Sequence, residues 1–335
     1  MNEKWDLSSS EMSIIDSPSV AIIILNWNNW QDTVECLESL SQIDYPNYQI
    51  IVVDNGSTDD SVPQIRQRFG TIHLLATREN LGFSGGVNFG IEQAKTSDLI
   101  LLLNNDTLVA KNFLTELVRK IISDDTIGLV GGKIYYYERA ERDSFIRQLA
   151  DVQYMKALHS NNHKIWSAGG GISKFTKRTF HFGDKKSDRG QYDREREVDF
   201  LSGCCLLIKR EVIDKIGLLD IDYFMYYEDV DYCIRAKEQG YKILYVPVSI
   251  IWHKVRQPAS KRFVDYYRMK NHFLLLKKRY SVKPIMSCLI GNYLFIERTG
   301  RILLRKLIYQ DPEKITDRVS ALIKGMRDGL TWQSQ

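Results

Sequence analysis

The sequence has little cysteine and no motif typical of a redox or zinc protein. Its 335 residues include five cysteines, none in a C-x-x-C pair, so neither a zinc ribbon nor a secreted disulfide framework is expected. The expected environment is the reducing cytosol. No G-x-G-x-x-G follows the first apolar run, and no G-x-x-x-x-G-K-[ST] occurs, which disfavours a dinucleotide site and excludes a P-loop enzyme. The N-terminus has no basic segment followed by an apolar core, so no signal peptide is expected.

Long hydrophobic runs are also missing. The apolar stretch 284–296 has 13 residues and would span roughly 20 Å as a helix, short of the ~30 Å hydrocarbon core, so a transmembrane helix is not expected. Charge is uneven: residues 261–335 carry 16 Lys and Arg against 6 Asp and Glu, and residues 1–260 carry 30 against 36. This predicts a basic region that lies on an anionic membrane surface. The alternative is a helical appendage that packs on the body or forms a dimer.

What the sequence does contain is a regular alternation of strand and helix patterns. Continuous apolar runs such as 20–27 (VAIIILNW) and 99–103 (LILLL) are typical of parallel strands buried on both faces. Several of these runs are followed by segments with apolar residues at helical spacing, and this alternation of strand and helix patterns indicates right-handed βαβ units. Residues 135–197 are less regular and are interpreted as an insertion that borders a site. The sequence therefore predicts an α/β fold with a mostly parallel sheet flanked by helices. The predicted units are an N-terminal tail (1–18), an α/β domain (19–260) and a basic helical C-terminal region (261–335).

Polar residues stand at the predicted carboxyl ends of three strands. Asn26 ends the first, Asp54 the second, and Asn104-Asn105-Asp106 the fourth. Ligands of open α/β sheets bind at that edge, so these side chains are expected to face one crevice. A carboxylate at Asp54 can accept from the N3–H of uracil or thymine, or from a ribose hydroxyl; the alternative is a turn residue.

Clustered oxygen ligands after a buried strand suit a hard cation. Mg²⁺ or Mn²⁺ takes one or two protein carboxylates and is completed by water and substrate phosphates. Asp106 is the one anion of its cluster, so a second ligand is needed, and His253, after the run SIIWH, is the candidate. A structural histidine is the alternative.

Two further segments are candidates for binding and catalysis. The glycine-rich turn 80–86 leads into a helix, where backbone N–H groups can approach a phosphate. Glu228 and Asp229 open another helix, and a carboxylate there can act as a general base or can stabilise the helix dipole. Periodicity does not choose between the two. Asp231 is expected to point elsewhere.

Taken in their order along the chain, these segments resemble the family-2 glycosyltransferases, which have a GT-A fold and use nucleoside-diphosphate sugars. The resemblance covers roughly residues 18–256 and is most similar to rhamnosyltransferase-like enzymes of O-antigen and exopolysaccharide assembly. It rests on seven ordered motifs: VAIIILNWNN, IIVVDNGSTDDS, ENLGFSGGVNFG, LILLLNNDTLV, FLSGCCLLIKREV, IGLLDIDYFMYYEDVDYCIRAKEQGY and IIWH.

The resemblance implies a role for each matching residue. One departure from the family pattern is Asn104, which stands where the first Asp of the metal motif is expected and leaves one anionic ligand fewer. The implied set comprises Asp229 as catalytic base with Glu228 beside it; Asn26, Asp54, Asn80, Gly82, Phe83, Asn88, Asn104 and Asn105 at the donor nucleotide; Ser202 and Gly203 on the sugar and acceptor side; and Asp106 with His253 at the metal.

The resemblance also implies an inverting, metal-dependent transferase. The expected cofactor is Mg²⁺ or Mn²⁺, the donor a dTDP- or UDP-sugar, and the acceptor a hydroxyl of a glycan or a lipid-diphosphate-linked glycan; no nucleic acid partner is expected. Rhamnose is the first choice of sugar, with galactofuranose, glucose and N-acetylglucosamine open. The expected location is the cytoplasmic membrane's inner face, as a peripheral protein. The alternatives are a metal-dependent nucleotidyltransferase, disfavoured because NWNNW is not a basic glycine-rich loop, and a non-catalytic sugar-binding scaffold.

Overall fold

The computed structural model describes residues 17–137, 163–255, 260–280, 282–309 and 314–333. Its centre is one mixed sheet flanked by helices, followed by a group of C-terminal helices. The strands are β1 (Val20–Asn26), β2 (Tyr48–Asp54), β3 (His73–Ala76), β4 (Leu99–Asn104), β5 (Thr107–Val109), β6 (Ile127–Tyr136), β7 (Ile165–Ser167), β8 (Gly170–Ile172), β9 (Thr179–His181), β10 (Arg196–Glu197), β11 (Cys205–Lys209) and β12 (Lys242–His253). The helices are α1 (Trp30–Leu40), α2 (Ser61–Arg68), α3 (Gly82–Gln93), α4 (Phe113–Ile122), α5 (Arg210–Ile216), a 3-10 turn (Ile221–Tyr223), α6 (Glu228–Glu238), α7 (Lys261–Tyr280), α8 (Pro284–Tyr309) and α9 (Ile315–Thr331).

The order of strands across the sheet is β10-β12-β6-β11-β4-β1-β2-β3. The β4-β1-β2-β3 part is parallel, as the strand–helix alternation predicts. Strand β11 is antiparallel to both of its neighbours, β4 and β6. It starts at the edge where β4 ends, because Cys205 pairs with Leu103. The segment just before β11 therefore lies beside the polar ends of the parallel strands.

The apolar runs are continuous because both faces of the sheet are covered. Alternate residues of β1 enter different cores: Ile23 packs with α3 residues such as Ile91, whereas Ile22 and Ile24 pack on the opposite face with Phe113 of α4. Strands β1 and β4, which are covered on both faces, carry no polar side chain until their last residues, Asn26 and Asn104. The polar strand ends are therefore concentrated at one edge.

Several element boundaries differ from the sequence prediction. The runs 242–246 and 249–252 form one strand, β12, with a register shift between Val246 and Ile250. Pro247 lies in that shift, because proline cannot donate a hydrogen bond to the ladder. The described part of the predicted insertion contributes β7 to β10, and the rest of it, 138–162, lies outside the described residues.

The C-terminal region is helical, as predicted, and α7 packs against α9 around Phe273 and Leu322. Helix α7 is also joined to the α/β body: Lys278 Nζ lies 2.5 Å from carboxylate oxygens of both Asp220 and Asp222. Within the described ranges, no helix combines the length and the hydropathy needed to cross a membrane.

Candidate active site

The floor of the crevice is a buried hydrogen-bond network across the strand ends. Asn26 and Asp54 are paired in the register of β1 and β2, and Asn26 Nδ2 donates to Asp54 Oδ2 at 2.8 Å. Thr33 Oγ1 donates to Asn26 Oδ1 at 2.7 Å, and Asn105 Nδ2 donates to Thr33 Oγ1 at 2.9 Å. Both ends of the Asn26 amide are engaged by protein groups, so Asn26 orients Asp54.

Asp54 keeps acceptor capacity for a ligand. Its Oδ1 accepts from Ser57 N at 3.1 Å and its Oδ2 from Asn26. Each carboxylate oxygen has two acceptor positions, so one on each oxygen stays unused, although Asp54 is only 2% exposed. Trp27, which sequence reasoning missed, follows Asn26 and is 51% exposed, although large aromatic side chains are usually covered.

The glycine-rich turn is held by an asparagine that the sequence analysis did not select. Asn55 Nδ2 donates to Asn80 Oδ1 and to the Gly82 carbonyl, both at 3.0 Å, and its Oδ1 accepts from Leu81 N at 3.0 Å. Gly82 has φ +74°, and a Cβ there would lie 2.5 Å from the Phe224 ring. The turn thus requires glycine at this position.

Two predicted donor residues in this part contact the segment that leads to Glu228. Phe83 N donates to the Phe224 carbonyl at 2.6 Å. The Asn88 amide forms a reciprocal pair with the Leu219 backbone, at 2.8 Å as donor and 3.0 Å as acceptor. Both ends of the Asn88 amide are therefore engaged by protein, which makes it a positioning residue in this structure.

Asp106 and His253 meet at the end of β4 and β12. Asp106 Oδ1 lies 3.1 Å from His253 Nε2. Burial by itself would raise the pKa of Asp106, but the adjacent His253 outweighs it and holds that pKa below its usual value. Lys254 N donates to the Asp106 carbonyl at 2.9 Å, and its Nζ lies 2.9 Å from Asp32, which fixes the chain on both sides of the pair.

This pair suits a divalent cation whose remaining coordination positions are filled by the substrate. Two neighbouring ligands of an octahedral ion at about 2.1 Å lie about 3 Å apart, close to the observed separation. Among the described residues, no group of three His, Cys, Asp or Glu side chains that could hold a metal is present. Asn104 and Asn105 leave Asp106 as the anionic ligand of this loop, so phosphate oxygens would have to fill the remaining positions.

Glu228 and Asp229 open α6 beside Gly203. Asp229 Oδ2 accepts from Gly203 N at 3.0 Å and its Oδ1 from Val230 N at 2.8 Å, while part of its surface stays exposed. Burial raises the pKa of Asp229, and burial followed by repulsion from Asp229 raises the pKa of Glu228 well above its usual value. Glu228 Oε2 is buried and has no hydrogen-bond partner in the described part of the chain.

One short turn joins the metal pair to this acidic pair. Gly203 N binds Asp229, and the next residue, Cys204, accepts a hydrogen bond from Asn104 N at 3.0 Å. Ser202 Oγ accepts from Cys204 N at 3.2 Å and closes the turn. The turn that precedes β11 thus brings Asp229 and the Asn104–Asp106 loop to the same crevice.

The residues before Glu228 adopt an unusual backbone conformation. Phe224, Tyr226 and Tyr227 have φ of 57°, 70° and 76°, although none is glycine. Met225 N donates to the Tyr223 carbonyl at 2.6 Å, which makes a γ-turn centred on Phe224. Such conformations are strained and persist only where the surrounding structure fixes them.

Asn271 of α7 provides that support. It is fully buried, and its Nδ2 donates to the carbonyls of Tyr223, Met225 and Tyr226 at 2.6, 2.8 and 2.8 Å. Sequence reasoning missed this residue, and no local signal was available, because Asn271 stands between Lys270 and His272 in a polar segment. By contrast, Asp231 points away from the crevice, as predicted: it pairs with Arg235 at 2.9 Å and Arg279 at 2.6 Å.

Comparisons with known proteins bear on the family and the fold. A family model described as "Glycosyltransferase like family 2" matches residues 18–270. The chain is 27% identical to the N-acetylglucosaminyl-diphospho-decaprenol L-rhamnosyltransferase of Mycobacterium tuberculosis over 73% of this chain and 80% of the relative. It is 23% identical to the low-salt glycan biosynthesis hexosyltransferase Agl10 of Haloferax volcanii over 92% and 91%.

Two solved structures share the fold. The mannosyltransferase PcManGT of Pyrobaculum calidifontis, in complex with GDP-Man and Mn²⁺, matches with a TM-score of 0.54 at 17% identity and covers 98% of this chain and 90% of that one. GalNAc-T7 with UDP, GalNAc and Mn²⁺ matches with a TM-score of 0.59 at 16% identity over 79% of this chain, which spans 49% of that protein. The predicted GT-A fold class is confirmed.

Proposed function

The chain belongs to glycosyltransferase family 2, and on that premise we propose that it is an inverting, metal-dependent transferase acting on a lipid-diphosphate-linked glycan. Rhamnose from its dTDP donor is the first choice of sugar, because a relative is named as a rhamnosyltransferase with a diphospho-decaprenol substrate. The observation that carries the proposal is the turn at Gly203–Cys204, which puts Asp229 beside the loop of Asp106.

The donor would lie along the strand ends. Asp54, oriented by Asn26, would accept from the nucleobase or ribose, and the turn ordered by Asn55 would border the nucleotide. Asp106 and His253 would hold Mg²⁺ or Mn²⁺, which neutralises negative charge on the leaving nucleoside diphosphate. These residues bind and orient the donor so that its anomeric carbon faces Asp229.

Asp229 would be the general base. Its carboxylate takes the proton of the acceptor hydroxyl as that oxygen bonds to the anomeric carbon and the bond from the anomeric carbon to the diphosphate oxygen breaks. Attack from the face opposite the diphosphate inverts the anomeric centre. The raised pKa of Asp229 makes it a stronger base than an exposed carboxylate, and its two backbone hydrogen bonds fix its direction. Glu228, buried beside Asp229, would be the second carboxyl of the acidic pair.

The test is release of nucleoside diphosphate from a panel of donors, beginning with dTDP-rhamnose, with Mn²⁺ and a prenyl-diphosphate-linked glycan acceptor. Asp229→Asn should keep donor affinity and lose about 10²- to 10⁴-fold in turnover, the range for removing a general base. Asp214→Asn, an exposed carboxylate on α5, is the matched control and should keep full activity. Turnover by Asp229→Asn at the rate of the unmodified enzyme would remove Asp229 from this role.

We also propose that α8 rests on an anionic membrane, at the inner face of the cytoplasmic membrane. Apolar residues at helical spacing form one exposed stripe, in which Ile285 is 78%, Leu289 58%, Ile296 70% and Leu307 81% exposed. Basic residues are abundant in the same region, so the stripe would enter the interface while the basic groups meet lipid phosphates.

Vesicle co-sedimentation tests the membrane proposal. Leu289→Glu and Ile296→Glu should each weaken binding to phosphatidylglycerol vesicles by roughly tenfold, because each removes an apolar side chain from the interface. Val248→Glu, at an exposed apolar position of β12 in the body, is the matched control. Equal binding by the stripe variants and the control would contradict the assignment of α8.

A further inference from the structure

One tryptophan of the region between β6 and β11 packs directly on the candidate metal ligand His253. The ring centres of Trp166 and His253 are 4.7 Å apart, and the two ring planes are perpendicular, at 89°. Edge-to-face packing at this separation is a favoured arrangement of aromatic rings. Trp166 therefore limits the directions in which the imidazole of His253 can turn.

The backbone of β7 contains an irregularity that places Trp166 at this position. Strand β7 is antiparallel to β6, and Ser167 pairs with Ile134. The next residue of β6, Tyr135, pairs with Ile165, so one step along β6 corresponds to two along β7. Trp166 is thus the extra residue of a β-bulge, a feature that re-aims a side chain and is frequent next to functional sites. Strand β12, which ends in the candidate metal ligand, pairs with β6 along the same stretch, so the bulge brings Trp166 to it.

His181 of β9 packs on the same tryptophan. The ring centres of His181 and Trp166 are 4.7 Å apart, with the planes tilted by 35°. His181 is itself held in place, because its Nδ1 lies 2.9 Å from the Ser167 hydroxyl and its ring meets the Phe200 ring at 5.3 Å. Burial lowers the pKa of His181 to about 4, so at neutral pH the ring adds no positive charge near a cation. Trp166 thus contacts two imidazole rings and is supported by one of them.

The orientation of the His253 ring depends on packing because one of its nitrogens makes no hydrogen bond. Nε2 lies 3.1 Å from Asp106, on the side where a cation would bind. Nδ1 is buried and has no hydrogen-bond partner among the described residues. Metal-ligating histidines almost always donate the N–H of the second nitrogen to a carboxylate, a carbonyl or water, and that bond fixes the ring. The perpendicular contact with Trp166 is available to fix His253 in place of that hydrogen bond.

We propose that Trp166 is a positioning residue of the metal site, which holds the imidazole of His253 so that Nε2 and the Asp106 carboxylate face the same cation. This inference rests on the proposed function, in which His253 and Asp106 bind Mg²⁺ or Mn²⁺. Groups that orient a metal ligand typically contribute about 10- to 100-fold to metal affinity. The proposal also gives a role to strands β7 and β9 of the predicted insertion, which carry Trp166 and the histidine that supports it.

The experiment measures the Mn²⁺ affinity of the full chain with dTDP present, from the electron paramagnetic resonance signal of free Mn²⁺. Trp166→Leu should weaken Mn²⁺ binding about 10- to 100-fold, and the spin-echo signal of the bound ion should lose its coupling to an imidazole nitrogen. Trp166→Phe, which keeps an aromatic ring, should stay within about threefold of the unmodified protein. Phe175→Leu, at an exposed position between β8 and β9, is the matched control and should change the affinity by less than about twofold.

A binding measurement without metal separates positioning from a general loss of structure. The affinity for dTDP in EDTA should be the same in Trp166→Leu and in the unmodified protein. If Trp166→Leu does not fold, His181→Ala is the second variant. It removes the ring that supports Trp166 and should weaken Mn²⁺ binding by about three- to tenfold.

Unchanged Mn²⁺ affinity in Trp166→Leu, or in His181→Ala where that variant replaces it, would overturn the inference. A loss in Trp166→Phe as large as in Trp166→Leu would also overturn it, because aromatic packing would then not be the cause. An equal loss of dTDP affinity in EDTA would make Trp166 a structural residue only. The metal assignment of the proposed function fails separately, if the unmodified protein binds Mn²⁺ no more tightly than His253→Ala does.

Discussion

Removal of the Asn271 amide should disable catalysis without emptying the donor site. Asn271 is fully buried on α7 and donates to three carbonyls of the turn that precedes Glu228. Asn271→Ala would leave those carbonyls without their donor. The turn would then relax, and the acidic pair would lose its position relative to the donor.

The size of the effect follows from two opposing contributions. The positive φ values of Phe224, Tyr226 and Tyr227 cost roughly 1–2 kcal/mol each, about 3–6 kcal/mol together. One amide has two N–H groups, so its loss removes about two hydrogen bonds to buried acceptors, at roughly 1–3 kcal/mol each. The stabilisation from the Asn271 hydrogen bonds and the cost of the backbone strain are of similar size, so the turn should not keep its conformation without the Asn271 amide.

If the turn conformation that positions Asp229 is destabilised by about 1.4–2.8 kcal/mol relative to relaxed conformations, kcat falls about 10- to 100-fold. Donor affinity should fall less than kcat, because Asp54 and Asp106 lie outside the turn and only the Phe83 N–Phe224 carbonyl bond joins the turn to the predicted donor segment. The assays are nucleoside diphosphate release, donor titration calorimetry and hydrogen exchange of 223–228, which should become faster. Asn271→Asp, which places oxygen against three carbonyls, should be at least as impaired.

Asn292→Ala, at an exposed asparagine of α8, is the control and should behave as the unmodified enzyme. If Asn271→Ala kept normal kcat and normal exchange protection in 223–228, the claim that α7 maintains a strained catalytic turn would be refuted. A variant that lost donor affinity and kcat equally would show instead that the whole crevice had collapsed.

Three further predictions concern the same crevice. Gly82→Ala should weaken donor binding by about tenfold or more in calorimetry, because a Cβ would lie 2.5 Å from the Phe224 ring at a φ of +74°; unchanged affinity would show that the turn is adaptable. Glu228→Gln should raise the melting temperature at pH 7.5. The pKa of Glu228 is raised in the folded state, so its ionised form destabilises the folded chain at pH values above about 4, its pKa in the unfolded chain. The gain in melting temperature should vanish at pH 4 and below, and a gain that persisted there would contradict the electrostatic cause. Asp106→Asn and His253→Ala should each abolish the thermal shift produced by Mn²⁺ with nucleoside diphosphate, and retention of the shift in both variants would place the cation elsewhere.

The acidic pair shows why neighbouring carboxylates can be assigned only with tertiary contacts. Helical spacing separates Asp231 from Asp229 but cannot choose between Glu228 and Asp229. In the structure, Asp229 is directed by Gly203 N and keeps an exposed surface, while Asp231 is fixed by Arg235 and Arg279. The choice between Glu228 and Asp229 depends on Gly203, 26 positions from Asp229, and the direction of Asp231 depends in part on Arg279, 48 positions away; no local pattern contains these contacts.

The buried amides give a second comparison. The family resemblance assigns Asn26 and Asn88 to the donor site, and that assignment stays a prediction. The structure shows that their side chains are engaged by Thr33, Asp54 and the Leu219 backbone, so they orient other groups. Whether an amide faces a ligand or supports a neighbouring residue depends on which groups pack against it in the folded chain.

By itself, the sequence determined the alternation of buried strands and amphipathic helices and the polar residues at the strand ends, because apolar periodicity and breaks in it are local properties of the chain. Three-dimensional packing was needed to show that β11 returns antiparallel and brings Gly203 to Asp229, and that Asn271 supports the turn before Glu228. These contacts join segments that are distant in sequence. They arise from how the helices and strands pack, so no single stretch of sequence predicts them.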